Sequence, residues 1–173
     1  TVYEINISDE LVESKYNGTI QKAGIQSVVI GNNVTSIGGR AFKDCSELHT
    51  ITIPDSVTSI AYDAFQYCTA LQSVTIGDSV TSIGGYAFAG CSALQSVTIP
   101  NSVTDIGNNA FETCTALQSI VIPDSVTSIG PTAFAGCTAL QSVTIGDSVT
   151  RINSDLFRGC SALQSVKIGR AHV

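Results

Sequence analysis

The chain has 173 residues and a mass of 18.0 kDa, which is enough for one domain with a buried core. Hydrophobic residues make up 43% of it and charged residues only 13%, which excludes a disordered tail and argues against a coiled coil. The net charge of −6 argues against a nucleic-acid partner, and the absence of any run of 18 apolar residues argues against membrane insertion.

The first 24 residues differ from the rest of the chain, and we predict that residues 1–24 form an N-terminal cap. Residues 2–7 are expected to form an edge strand that covers the first unit of the array that follows. Ser8, Asp9 and Glu10 are typical of a helix start, with Ser8 or Asp9 as the capping residue.

The remainder of the sequence repeats every 23 residues, which is typical of a solenoid. The prediction is an array at 25–168, made of six 23-residue units and a seventh strand, followed by a tail at 169–173. The cysteines and the phenylalanines keep this spacing without exception: Cys45, Cys68, Cys91, Cys114, Cys137 and Cys160; Phe42, Phe65, Phe88, Phe111, Phe134 and Phe157. The six units begin at Ile25, Leu48, Leu71, Leu94, Leu117 and Leu140. The seventh strand belongs to a repeat that begins at Leu163.

Each unit opens with a short strand and a turn. In the third unit, Val74 and Ile76 alternate with polar residues, which predicts a strand with one buried face. Gly77-Asp78 follows as a turn pair, and in other units a Pro-Asp or Pro-Asn pair takes this place. A short extended piece with inward-facing Val80 and Ile83 comes next.

The second half of the unit is predicted to be helical. Ala87, Phe88, Cys91 and Leu94 follow one another at spacings of one, three and three residues, which favours one or two helical turns with the apolar side inward. Stacked units would bury these apolar sides against each other and align their strands in a parallel sheet, with strands about 4.8 Å apart.

The repeated pattern LxxVxIPxSVTxIGxxAFxxC resembles the BspA-like, or Treponema pallidum-type, leucine-rich repeats. It is seen in residues 48–60, in Ala64-Phe65 and in Cys68, and the resemblance covers about residues 25–168. It implies an α/β solenoid: a right-handed leucine-rich-repeat superhelix with a parallel sheet on the concave face and short helical turns or strands on the convex side. It also implies an extracellular or cell-surface protein that binds a host or neighbouring-cell protein, as adhesins do.

Two columns of the repeat carry residues that bind metals or form disulfides in other proteins. The cysteines are interpreted as a ladder of buried free thiols, because each follows a phenylalanine by three residues; disulfides between neighbouring units are the alternative. No CxxC-type spacing exists for zinc. The aspartates after Pro or Gly, such as Asp55 and Asp78, are interpreted as turn residues, with a calcium site as the alternative.

No catalytic arrangement is recognisable, and we predict a non-enzyme without metal or other cofactor. His49 and His172 lie at different ends of the array, and neither is paired with a nucleophile or a carboxylate in a triad-like pattern. Threonine columns are interpreted as a solvated sheet surface, and the alternative is a glycan- or ice-binding face that uses Thr and Ser hydroxyls. They are Thr35, Thr58, Thr81, Thr104, Thr127 and Thr150, and a second file of Thr52, Thr75, Thr98 and Thr144 interrupted by Val29 and Val121.

The candidate partner-binding residues are Tyr62, Tyr67 and Tyr86, which come from adjacent units. Tyrosine is frequent in protein interfaces because it offers apolar area together with a hydroxyl. The predicted function is therefore a non-catalytic protein-binding module, and the alternative is a structural spacer in a longer surface protein. A second interaction is expected at the C-terminal end, where the strand of the seventh unit would leave an open edge and allow weak self-association.

Overall fold

The computed structural model describes residues 2–5, for which only the backbone is considered, and residues 24–169. These residues form a parallel solenoid in which each 23-residue unit makes one coil, and we number coils one to six from Ile25 to Leu140. Two stacks of strands run along it. The first stack, here called the strand face, contains β1 (Val2–Ile5), β2 (Ser27–Ile30), β4 (Thr50–Ile53), β6 (Ser73–Ile76), β8 (Ser96–Val97), β10 (Ser119–Ile122), β12 (Ser142–Ile145) and β13 (Ser165–Ile168). The second stack contains β3 (Ser36–Ile37), β5 (Ser59–Ile60), β7 (Ser82–Ile83), β9 (Asp105–Ile106) and β11 (Ser128–Ile129).

The strands form where the sequence alternates, as predicted. In β6, Val74 and Ile76 are buried and Ser73 and Thr75 are exposed, so one side of the strand faces the core. All described strand pairs are parallel, and neighbours within residues 24–169 pair with a shift of one repeat, as Thr50 does with Ser73. β1 pairs in parallel with β2, which agrees with the expected edge strand. The predicted helix start at Ser8 or Asp9 lies outside the described residues.

The prediction of helical turns is wrong, because residues 24–169 contain no helix. Instead, the segment around each phenylalanine is a series of β-turns. Nearly every residue two positions before or after a phenylalanine has a left-handed backbone: Arg40, Asp44, Asp63, Tyr67, Tyr86, Gly90, Asn109, Thr113, Thr132, Gly136 and Gly159. Left-handed residues interrupt a right-handed helix, so the apolar spacing of one, three and three is produced by successive i to i+3 turns.

The hydrogen bonds of this segment explain why it stacks so regularly. Amides alternate between two kinds of acceptor: Lys43 N–H donates to Arg40 O within the turn (3.2 Å), whereas Asp44 N–H donates to Gln66 O in the next coil (2.8 Å). The segment therefore joins neighbouring coils through backbone hydrogen bonds, as a sheet does. In an α-helix the same N–H groups would donate to carbonyls of their own segment.

The core is built from the two invariant columns. The phenylalanine rings stack in one continuous file, with centroids 5.1–5.4 Å apart from Phe42 to Phe134 and 6.0 Å apart between Phe134 and Phe157. Each thiol from Cys68 onwards donates to the carbonyl of the phenylalanine 26 residues earlier, for example Cys114 Sγ to Phe88 O at 3.3 Å. All six cysteines are free and five are buried, which confirms the thiol ladder; Cys160 is only half-buried.

The strand face is interrupted once. β1, β2, β4, β6 and β8 form one sheet, and β10, β12 and β13 form another, while the second stack runs unbroken from β3 to β11. At the far end all four residues of β13 are exposed, Ile168 to 61%, and Phe157 and Leu163 are only partly buried. The handedness, the curvature and the division into cap, array and tail remain predictions.

Candidate functional site: the tyrosine surface

The three predicted tyrosines lie on the turn segments of coils two and three. Tyr62 and Tyr67 flank Phe65, and Tyr86 precedes Phe88 by two residues. Their exposed fractions are 55% for Tyr62, 50% for Tyr67 and 40% for Tyr86. An exposed aromatic side chain of this size offers contact area that the fold itself does not use.

Tyr62 lies back over coil one. A Cβ added at Gly39 would stand 2.7 Å from Tyr62 Cε1, so the ring occupies space that only a glycine leaves open. The Arg40 guanidinium lies 5.5 Å from the centre of the same ring, within the range of a cation–π contact. Arg40 Nε is also 3.3 Å from Asp63 Oδ2, and Lys43 Nζ is 3.5 Å from the same oxygen. Tyr62 therefore sits beside a small network of charges.

Tyr67 leans in the opposite direction, over coil three. A Cβ at Gly90 would stand 2.4 Å from Tyr67 Cδ1, so this ring too rests on a glycine. Its backbone is left-handed (φ 61°), as is that of Tyr86 (φ 57°). A bulky residue with positive φ is unusual, and the position of Tyr67 is glycine in coils three, five and six. The left-handed conformation recurs beside nearly every phenylalanine, so this surface is distinguished by its exposed aromatic side chains and not by its backbone.

The structure thus places the three tyrosines on neighbouring coils without direct ring contact, since the ring contacts of residues 24–169 join only phenylalanines. We call Gly39, Arg40, Tyr62, Tyr67, Tyr86 and Gly90 the tyrosine surface. Sequence reasoning missed Arg40 and the two glycines. The available signal was that Gly39 stands one repeat before Tyr62 and Gly90 one repeat after Tyr67.

The hydroxyls of the first threonine column form hydrogen bonds between neighbouring coils. Thr58, Thr81, Thr104 and Thr127 each donate their hydroxyl to the carbonyl of the threonine one coil earlier, at 3.1–3.2 Å. Hydroxyls held in this way are not free donors for an ordered water lattice. In the second file, exposed Val29 and Val121 interrupt the row of hydroxyls.

The aspartate column also has a local role. Asp55 Oδ1 accepts the backbone N–H of Asp78 at 2.8 Å, and Asp124 Oδ1 accepts that of Asp147 at 2.9 Å. These bonds support the interpretation as turn residues. Within the described part of the chain, no group of three or more His, Cys, Asp or Glu side chains is arranged so that it could hold a metal ion. The same residues include no helix with the length and apolar character needed to cross a membrane.

Comparison with known proteins gives one family. The sequence model of the family described as the BspA type leucine rich repeat region matches residues 13–139 and 104–172, with six copies in the chain. Comparison with curated proteins gives no match.

Solved structures agree with the family match. A leucine-rich repeat protein from Bacteroides ovatus is 41% identical, with a TM-score of 0.74 over 77% of this chain and 34% of its own. The T. pallidum leucine-rich repeat protein is 33% identical, with a TM-score of 0.79 over 83% of this chain and 69% of its own. The pneumococcal vaccine antigen PcpA is 20% identical, with a TM-score of 0.69 over 83% of this chain and 45% of its own, and shares the fold alone. This chain therefore spans about a third of the B. ovatus protein.

Proposed function

The chain belongs to the BspA-type leucine-rich repeat family, and from this membership we propose that it is a non-catalytic protein-binding module of a cell-surface or secreted protein. The observation that carries the proposal is the tyrosine surface, where three aromatic side chains are exposed to between 40% and 55%. The extracellular location is supported by the family resemblance. The partner is a protein on a host or neighbouring cell.

The composition of the tyrosine surface supports a protein partner in particular. Tyrosine and arginine are the residues that most often dominate the binding energy of protein interfaces. Tyr62 and Tyr67 are each held on one side by a glycine of the neighbouring coil, so binding would cost little additional side-chain entropy.

Replacing Tyr62, Tyr67 and Tyr86 together by serine is expected to weaken binding to a protein partner at least about 30-fold, the effect of losing one interface hot spot. The partner is first found by probing an array of purified host matrix and surface proteins with the wild-type chain, and affinity is then measured by biolayer interferometry. Far-UV circular dichroism checks that folding is intact. Unchanged affinity would remove the tyrosine surface from the proposal, and failure to bind any protein would favour the spacer function.

Gly39→Ala provides a finer test of the same surface. The added methyl group collides only with the ring of Tyr62, so the ring must turn away while the backbone stays in place. The free energy of unfolding is expected to change by less than about 1 kcal/mol, as for most surface substitutions. Partner binding should fall by the same factor as in Tyr62→Ser. Gly85→Ala, at the same position of another coil, is the matched control for Tyr62, because its new Cβ would meet Asn108 O at 3.3 Å and no atom of the Tyr62 ring.

We also propose weak self-association through the open edge of β13, whose four residues are exposed. Light scattering at increasing protein concentration is expected to show a rising average mass. If the contact is head-to-tail between charged ends, added salt will weaken it. A strictly monomeric chain at high concentration would contradict the proposal.

A further inference from the structure

Pairing along the strand face depends on the residue that follows each strand. Where that residue is glycine, all four residues of the strand pair with the preceding strand of the stack. This holds for the strands that precede Gly31, Gly77, Gly146 and Gly169. Where it is proline, pairing is shorter: three residues before Pro54, two before Pro100 and none before Pro123.

The missing N–H of proline explains this difference. Gly146 N–H donates to Ile122 O at 2.9 Å, and Gly169 N–H donates to Ile145 O at 2.8 Å, which closes the end of each strand pair. Proline cannot make this bond. Pro100 and Pro123 follow in consecutive coils, and the sheet is interrupted between their strands, β8 and β10.

The interruption is a wedge that opens on one side only. At its narrow end, Gln118 N–H still donates to Gln95 O at 3.3 Å. The second stack is continuous here through the pairing of β9 with β11, and the rings of Phe111 and Phe134 remain 5.4 Å apart. The two coils are thus held together in the core, while backbone pairing between their strands is lost toward Pro100 and Pro123.

A cavity of about 540 Å³ occupies the wedge. Its walls are partly apolar, and Val121 at its edge is 61% exposed. Its polar groups are hydroxyls, one amide and one carboxylate. The lining residues include Asp78, Pro100, Asn101, Val121 and Pro123. A long side chain with an aliphatic stem and a polar head matches such a lining.

The carboxylate in the lining is not used by the fold. Asp55 and Asp124 each accept the backbone N–H of the next coil, but within residues 24–169 the side chain of Asp78 accepts no hydrogen bond. The next coil begins its turn with Pro100, where the pairing that aligns the two turns has been lost. Asp78 therefore offers an exposed negative charge at the cavity.

No positive charge of the surrounding coils can neutralise it. Between Lys43 and Arg151 the sequence has no Lys and no Arg, although it has nine Asp and Glu residues: Asp44, Glu47, Asp55, Asp63, Asp78, Asp105, Glu112, Asp124 and Asp147. The middle of the solenoid is thus acidic throughout. A cation that neutralises Asp78 has to come from a ligand.

We propose that this wedge is a pocket for the side chain of an arginine or lysine on an extended segment of a protein partner. The aliphatic stem lies against Val121 and the prolines, and the cationic head is bound by Asp78 and Asn101. The proposal rests on the protein-binding function proposed above, but it does not depend on the tyrosine surface.

The test uses the full chain and the blocked tripeptide acetyl-Gly-Arg-Gly-amide as probe, with amide chemical shifts followed by NMR during titration. Saturable shifts are expected at Val97, Thr98 and Ser119. The lysine peptide should shift the same amides. The same peptide with citrulline, the uncharged counterpart of arginine, should bind at least about fivefold more weakly. Absence of saturable shifts, or shifts at these amides with a neutral sugar but not with the arginine peptide, would overturn the proposal.

Two matched variants separate the pocket from general attraction to an acidic protein. Asp78→Asn should weaken binding about fivefold, whereas Asp124→Asn, with the same change in net charge, should leave it within about twofold. Equal losses would show attraction to the acidic surface only and would overturn the proposal.

Pro123→Gly tests the wedge itself. Glycine stands at this position in three other coils and after β13, so the variant is expected to fold, and its new N–H can donate to Ile99 O. The strands should then pair, and binding of the arginine peptide should be lost although Asp78 is unchanged. Undiminished binding would contradict the proposal. Serine at Tyr62, Tyr67 and Tyr86 should not affect the peptide, so failure of this proposal is distinguishable from failure of the tyrosine surface.

Discussion

Replacing Phe88 by alanine is expected to lower the free energy of unfolding by about 3–5 kcal/mol, the cost of deleting a fully buried aromatic side chain. The ring of Phe88 has no exposed surface and lies between two others, 5.1 Å from Phe65 and 5.3 Å from Phe111. Its loss would leave a cavity that the rigid file of rings cannot close. Equilibrium unfolding in urea, followed by circular dichroism, measures the change.

Phe157→Ala is the matched control in the same column. This ring is only partly buried and is separated from Phe134 by 6.0 Å with a tilt of 22°. Its removal is therefore expected to cost about 1–2 kcal/mol, because less apolar area is lost from the interior. Equal costs for the two substitutions, or a cost below about 1 kcal/mol for Phe88→Ala, would contradict the continuous core.

Cys160 is expected to react with an aqueous thiol reagent at least about 100-fold faster than the five cysteines before it, because opening an interior coil costs several kcal/mol and each 1.4 kcal/mol is a factor of ten. Cys160 is half-buried, whereas the others are buried. Burial raises the pKa of Cys91 to about 12, so almost none of it is the reactive thiolate at neutral pH. Mass spectrometry after timed labelling identifies the modified residue.

The pH profile of this reaction tests its cause. The Cys137 thiol donates to Phe111 O at 3.2 Å, but it can turn its hydrogen toward Cys160 when Cys160 ionises. This hydrogen bond lowers the pKa of Cys160 to about 7. The labelling rate of Cys160 should therefore rise with pH until about 7 and then level off. Cys137→Ala should move the rise to higher pH, and an unchanged profile would show that Cys137 has no such role.

The strands and the core columns could be predicted from the sequence because a 23-residue period leaves few choices. The positions of Val74 and Ile76 are apolar in every coil, and the residue between them is polar except at Val29 and Val121, so a buried face shared by stacked strands follows directly. The thiol ladder followed in the same way from the fixed distance between each phenylalanine and the next cysteine. Cys160 is less buried than the other five, and the described residues that follow it form a strand, β13, without a further turn segment.

The turn segments could not be predicted from apolar spacing, since a helix and a series of i to i+3 turns place Phe88 and Cys91 on the same side. The distinguishing information lay in the polar positions beside them. Gly90, Gly136 and Asn109 occupy left-handed positions, and these residue types tolerate positive φ better than most. Tyr67 and Tyr86 gave no such indication, because tyrosine rarely adopts a positive φ.

Proline and glycine after the strand could be recognised in the sequence but seemed equivalent there, because both are common in turns. The difference lies in one N–H group and becomes important only when coils are stacked. Two adjacent proline units, at Pro100 and Pro123, were therefore needed to open the sheet. No property of a single unit shows this, and so the cavity beside Asp78 could not be predicted.

The shift of one repeat between paired strands has a consequence for inheritance. Apart from the residue after the strand, every coil offers similar groups to the coil before it and the coil after it, as the pairing of Thr50 with Ser73 and of Ser73 with Ser96 shows. Unequal recombination between the near-identical DNA of two units would add or remove 23 codons, and the reading frame would be preserved. The joined coils would meet through the same bonds as before. Such a gene can change the length of its product in steps of one coil, and it can move a proline unit beside another without having to evolve a new core.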